Sequence, residues 1–311
     1  MPQLNVAFIG EPGSGKNVAL GLLERAFTYA KAGQINEHNY SPDPEKTDWS
    51  YNKFNWNMGM DKPTSEYLKK HLSLLEYGEW PDALMGDYCV QLQFMFQRPS
   101  GIINGHGFLD KIRKPDETVL GIYQVAGEII VRILDIISKG SKQEEIIQTL
   151  NSDVNLDALF RCDAFVFLIN SEVCVPVSGE IDSIIKAREA RFHSERDFKL
   201  ALLLETIKNY KQQMGGTIRK IVFIFAKHDK VMFSLSLKTQ LECENTLKQF
   251  LPVTFTVFDY IKQKYNLGYA FYCKSGIQTR ENEEENRNKP DIPLRFYIHD
   301  YLALLDFLLK K

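Results

Sequence analysis

The sequence predicts a three-layer α/β/α fold built on a mostly parallel sheet with one antiparallel strand. Three observations carry this expectation. Short apolar runs at 6–9, 164–169 and 221–225 alternate with stretches of helical spacing, as in strands covered by helices on both faces. Two further runs, 89–97 and 118–123, follow one another with no helical stretch between them and should pair antiparallel. A glycine-rich turn, Gly10-Glu11-Pro12-Gly13-Ser14-Gly15-Lys16-Asn17, joins the first apolar run to the first helical one.

Taken in order, the first strand runs through Val6-Ala7-Phe8-Ile9, and Val18-Ala19-Leu20-Gly21-Leu22-Leu23 starts a helix that should fade near Gly33. Residues 34–63 are rich in Asn, Asp, Pro, Lys and aromatics without a steady period, and read as a long irregular loop. Pro63-Thr64-Ser65-Glu66 then opens a short helix with Tyr67, Leu68, His71, Leu72 and Leu75 on one face, stopped by Gly78. His71 on that face reads as a packed side chain rather than a ligand. In 89–97, Val90, Leu92, Phe94 and Phe96 alternate with glutamines, the period of a half-buried strand. A glycine-rich passage and Lys114-Pro115-Asp116 lead to the strand at 118–123. Helical spacing follows over 128–139 and 141–150, then the strand at 164–169. One long helix is expected over 180–213, its charged first half a solvated face, and Gly215-Gly216 ends it before the strand at 221–225. Helical patterns at 235–250 and 258–264 precede a last strand at 269–272. Residues 277–292 read as a polar loop too hydrophilic to pack, and an amphipathic helix from Pro293 closes the chain. The expectation is a single domain over 1–311, with an insertion at 34–80.

Composition narrows the function classes. A chain of 311 residues with 44% hydrophobic and 25% charged residues is long enough to bury a sizeable core. A formal charge of −2 offers no basic footprint for nucleic acid and no polybasic membrane patch. Five scattered cysteines without a CxxC pair argue against a zinc site or a disulfide framework and fit a reducing cytoplasm. No apolar run approaches the ~18 residues of a membrane span, and no basic-apolar leader opens the sequence. His106, His193, His228 and His299 lack metal-ligand spacing, and Glu144-Glu145 lies in a charged helix, where a solvated surface is the plain reading.

The glycine-rich turn has the context of a phosphate-binding P-loop, since it follows a strand and opens a helix. Gly10, Gly13 and Gly15 permit backbone angles that aim successive N–H groups inward at phosphate oxygens, aided by the positive end of the helix. Residues Gly10, Glu11, Gly13, Ser14, Gly15, Lys16, Asn17 and Val18 are therefore the expected phosphate site, with Lys16 neutralising the outer phosphates. The motif asks for Ser or Thr at the last position, where a hydroxyl binds magnesium, and this chain has Asn17. In such sheets ligands bind at the carboxyl ends of the strands. Three more segments stand there: Gln124-Val125-Ala126-Gly127-Glu128, Ala226-Lys227-His228-Asp229 and Cys273-Lys274-Ser275-Gly276.

With the P-loop, these segments resemble the ordered motifs of a Ras-like GTPase in order and element spacing over nearly the whole chain. The resemblance implies GTP or GDP as ligand. Asp229 would read the guanine N–H and amino groups and Lys227 would lie along the ring. Cys273 would offer its N–H to the guanine carbonyl, and Lys274 would support the other side. It also implies magnesium, but Asn17 and Gln124 stand where that family has a hydroxyl and an aspartate, so the metal should be weakly held. An amide at the first of these positions is a familiar way of weakening magnesium there. Gly127 retains the N–H that senses a γ-phosphate. Glu128 replaces a water-positioning glutamine, and no switch threonine precedes the strand at 89. Lys16, Gly127 and Glu128 are the expected catalytic positions of what looks like a slow GTPase or a binding-only switch, with partners at 34–80 or 180–213. Two alternatives stand beside it: a nucleotide-free pseudo-GTPase scaffold, and a P-loop kinase or ATPase. The latter would need an Arg-rich lid and an acidic strand end, whereas the strand ends here are Gln124, Asn170 and Ala226.

Overall fold

The protein is described from a computed structural model over residues 3–11, 13–32, 57–82, 89–98, 116–139, 142–171, 183–227, 240–273, 279–282, 287–290 and 298–310. Seven strands form one sheet in the order β2-β3-β4-β1-β5-β6-β7. These are β1 (Gln3–Gly10), β2 (Asn57–Met60), β3 (Cys89–Arg98), β4 (Asp116–Val125), β5 (Ala164–Asn170), β6 (Lys220–Ala226) and β7 (Gly268–Cys273). β1 pairs parallel with β4 and β5, and β6 pairs parallel with β5 and β7. β3 is antiparallel to both β4 and β2, so it alone runs against the others.

Alternation along the central strands sends successive side chains into two apolar layers. On β1, Val6 and Phe8 face one layer while Ala7 and Ile9 face the other, and all four are buried. The first layer holds α1 (Lys16–Ala32), α2 (Lys62–Glu76) and the carboxyl-terminal α9 (Ile298–Leu309). The second holds α3 (Gly127–Lys139), α4 (Gln143–Ser152), α5 (Val154–Phe160), α6 (Ser183–Gln213), α7 (Gln240–Phe250) and α8 (Pro252–Tyr265). Phe223 anchors that side, stacked on Phe167 at 5.5 Å and edge-on to Phe258 at 5.2 Å between ring centroids.

Several elements depart from the sequence reading. The loop expected over 34–63 contains β2, which covers the outer edge of β3, and only its last residues are described. α5 has no counterpart in the sequence reading; the Asp153 carboxylate caps it by accepting from the N–H groups of Asn155 and Leu156. The polar stretch 277–292 includes an antiparallel ribbon, β8 (Thr279–Asn282) with β9 (Arg287–Pro290). The charged half of α6 is not wholly solvated, because Arg196 is only 17% exposed and Asp197 is buried. Strand pairing and tertiary capping supply partners that local composition does not display.

Candidate functional site

All the parallel strands point their carboxyl ends to one edge of the sheet, and the register fixes what meets there. Phe8 lies beside Gln124, Gly10 beside Leu168, Asn170 beside Ala226 and Phe225 beside Cys273. The P-loop therefore leaves the sheet next to the end of β4, two strands from β6 and three from β7. At about 4.8 Å per strand, the end of β1 lies about 10 Å from the end of β6 and about 15 Å from that of β7.

The loop has the geometry that its glycines allow. Gly13 and Gly15 take φ of 72° and 86°, a left-handed region that side chains disfavour. A Cβ on Gly10 would run into Ser14 Oγ and come within 3.1 Å of the Leu168 carbonyl oxygen. Ser14 N–H donates to Glu11 O at 3.1 Å, and Ala19 N–H donates to Gly15 O at 2.8 Å, the latter starting α1. Ser14 is buried, and its hydroxyl has no hydrogen-bond partner. Val18 packs inward against the α1 layer.

The Lys16 ammonium donates to Gly10 O at 2.5 Å and to Glu11 O at 3.1 Å. The side chain is buried, and burial pushes its pKa down to about 8 against the opposing pull of the Glu128 carboxylate. Glu128 itself is exposed in the first turn of α3, directly after the buried Gly127. The Glu11 carboxylate turns sideways to α6, where it pairs with Arg196. Beside this pair an apolar pocket of about 600 Å³ lies between α3 and α6, walled by residues including Ile130, Leu134, Phe167, Leu203 and Leu251.

Asn17 and Gln124, the two residues expected to face magnesium, are turned toward each other. Gln124 Nε2 donates to Asn17 Oδ1, Tyr67 OH donates to Gln124 Oε1 at 3.1 Å, and Asn17 Nδ2 donates to Asp82 O at 2.5 Å. Gln124 is fully buried. Burial pushes the Tyr67 phenol up to about 12, which keeps it a donor, and its ring lies 4.3 Å from that of His71. A hard divalent cation favours charged oxygen ligands, whereas this donor set is two neutral amides whose oxygens already accept hydrogen bonds. Among the described residues no group of three or more His, Cys, Asp and Glu could hold a metal ion. Magnesium does not fit these residues as they stand.

Lys227 sits directly after β6 with φ of 59°, an uncommon conformation for a side-chain-bearing residue and one found at functional turns. Cys273 is the last residue of β7. Asp229 and Lys274 lie outside the described residues. Sequence reasoning brings the loop, Gln124 and Gly127 to one edge, but gives no role to Arg196, Tyr67 or Asp82. The Tyr67 position on the inner face of a short helix is its only signal.

No protein-family model and no curated protein matches the sequence. Among solved structures, the chain is similar to the GTPase-like domain of S. cerevisiae Ski7 bound to GTP, at 13% identity and a TM-score of 0.35, covering 100% of this chain and 51% of that one. It is also similar to the signal recognition particle receptor SRb-GTP/SRX complex from Chaetomium thermophilum, at 11% identity and a TM-score of 0.38, covering 92% of this chain and 96% of that one. A third similarity is to the bacterial selenocysteine-specific elongation factor EF-Sec, at 10% identity and a TM-score of 0.25, covering 88% of this chain and 26% of that one. This chain thus spans about half the Ski7 chain and about a quarter of the EF-Sec chain. No described helix is long and apolar enough to cross a membrane. With its strand order, its one reversed strand and its glycine-rich loop between β1 and α1, the chain has a three-layer α/β fold on a mostly parallel sheet.

Proposed function

We propose that the chain binds guanine nucleotides, GTP or GDP, in a cytoplasmic setting, and hydrolyses GTP slowly or not at all. One observation carries the reading: a glycine loop with a buried lysine leaves the same sheet edge at which β6 and β7 end, two and three strands away. In this reading Lys16 and the N–H groups of Gly10, Glu11, Gly13, Ser14, Gly15, Lys16, Asn17 and Val18 hold the phosphates. Lys227, Asp229, Cys273 and Lys274 surround guanine, with Asp229 accepting from the ring N–H and amino groups that adenine cannot match. Gly127 offers its N–H to a terminal phosphate. Glu128 places a negative charge near that phosphate, where phosphoryl transfer needs charge neutralised, and this supports slow turnover.

Titration calorimetry with GDP, GTP, ADP and ATP tests the proposal. GDP should bind at least about tenfold more tightly than ADP, and Asp229→Ala should remove most of that preference, since each buried hydrogen bond left unmade costs about 1–3 kcal/mol. Equal affinity for GDP and ADP would overturn the guanine reading. Lys16→Ala should abolish triphosphate binding.

A second reading, a nucleotide-free scaffold for protein interaction, draws on exposed aromatics at the two expected partner regions. Tyr77 and Trp80 follow α2 with 78% and 42% exposure, and Phe198 on α6 is 55% exposed. Absence of binding heat with all four nucleotides would favour it.

A further inference from the structure

We propose that a continuous hydrogen-bond chain from Tyr67 through Gln124 and Asn17 to Asp82 takes the place of a divalent cation, locking α2 against the phosphate loop so that nucleotide is held without magnesium. The inference rests on the nucleotide reading but stands on separate geometry. Each link runs from a donor to an acceptor: the phenol to one amide oxygen, that amide's nitrogen to the next amide oxygen, and the second nitrogen to a backbone carbonyl. Both side-chain oxygens that could turn to a cation already accept from protein donors, which leaves each a single further lone pair. A cation entering here would compete with the donor already held at each amide oxygen while gaining only neutral ligands.

The helix that supplies Tyr67 is held in place by further contacts. Thr64 Oγ1 accepts from Gln93 N–H of β3 at 2.8 Å, and Glu76 pairs with Arg25 of α1. Leu68 and Leu75 are buried in the same apolar layer as Leu20, Leu22 and Leu23 of α1. The Asp61 carboxylate caps the amino end of α2 by accepting from Thr64 N–H at 2.9 Å. His71, nine-tenths buried, packs on Tyr67 beside the chain with its ring 4.3 Å from the phenol ring. An element tied down in this way serves as a fixed wall of the phosphate site, whichever nucleotide is bound.

Two measurements decide the proposal. In the first, affinity for a fluorescent GDP analogue is compared in magnesium and in EDTA. The unmodified protein should differ by less than about twofold, whereas Asn17→Ser combined with Gln124→Asp, which restores a hydroxyl and a carboxylate, should become at least about tenfold magnesium-dependent. Strong magnesium dependence of the unmodified protein would overturn the proposal. In the second, amide hydrogen exchange of residues 62–76 is followed without nucleotide. Tyr67→Phe, which keeps the ring and removes the donor, should speed exchange of α2 roughly fivefold, and magnesium should leave it unchanged. Unchanged exchange in that variant, or slowing by magnesium in the unmodified protein, would overturn the lock. No binding of the analogue in either buffer would sink the nucleotide reading instead, and the exchange result would then decide the lock by itself.

Discussion

Lys16 concentrates the chemistry of the site in one side chain. Its ammonium is buried, held by two carbonyls of the loop, and its pKa is lowered from 10.5 to about 8 because burial disfavours the charged form. A depressed lysine pKa means that the unfolded chain binds the proton more tightly than the folded one. Below pH 8 both states are protonated and the cost of the buried charge is fully present; stability then rises as pH climbs from about 8 toward 10.5. The gain is on the order of 3 kcal/mol, at 1.36 kcal/mol per unit. Bound phosphates reverse the sign locally by stabilising the ammonium, so nucleotide should draw in a proton as it binds above pH 8. Calorimetry of GDP at about pH 9, in buffers of different ionisation enthalpy, should show uptake approaching ~1 proton, and Lys16→Met should show none. Zero uptake by the unmodified protein would mean that the ammonium does not meet the phosphates. The lysine is legible in the sequence because its motif is local. The link from Gln124 to Asn17 is not, because it joins residues 107 apart and an amide can serve a metal or another amide equally well.

At the scale of elements, the same contrast separates what local pattern shows from what tertiary contacts create. β3 and α2 declare themselves by period and by a proline start, whereas β2, a four-residue strand, exists because β3 offers it an unpaired edge. α8 is another such case. Its helical spacing is evident only from 258, yet it begins at Pro252, and its own cap residue, Leu251, provides no side-chain acceptor. The cap comes instead from α6: the Asp197 carboxylate accepts from Val253 N–H at 2.9 Å and Thr254 N–H at 2.8 Å, and Asp197 O accepts from Thr254 Oγ1 at 3.0 Å. This explains a buried aspartate in a stretch that composition marks as solvated. Asp197→Ala should lower stability by about 1–2 kcal/mol, the range for a lost helix cap, with the backbone link to Thr254 left in place. Urea denaturation should register this as a lower midpoint with an unchanged slope. A midpoint within error of the unmodified protein would show that water replaces the carboxylate at no cost.

Across the whole molecule, the alternation of apolar runs and helical stretches is enough to anticipate the layers, and one missing crossover helix is enough to anticipate the reversed strand. What it does not convey is how the two ends of the site are joined. The sheet joins them, because β1, β5, β6 and β7 are hydrogen-bonded neighbours, and the apolar layer beneath them runs unbroken from Ile9 through Phe167 and Phe223 to Phe258. A nucleotide held at one end by the loop after β1 and at the other by the segments after β6 and β7 would bridge strands that already share a core. The chain should therefore unfold in one transition that moves as a unit when the site is filled. A ligand that binds only the folded state stabilises it by about 2.7 kcal/mol at 100 times its dissociation constant. For a chain of this size that corresponds to an upward shift of roughly 5 °C. Scanning calorimetry should show a single endotherm displaced by that amount in GDP and unmoved by ADP at the same concentration. The displacement should persist in EDTA, because Asn17 and Gln124 are engaged with the protein and not with a cation. Two endotherms, of which GDP moves only one, would show that the phosphate and base ends belong to units that unfold separately, and the bridging role of the sheet would have to be given up.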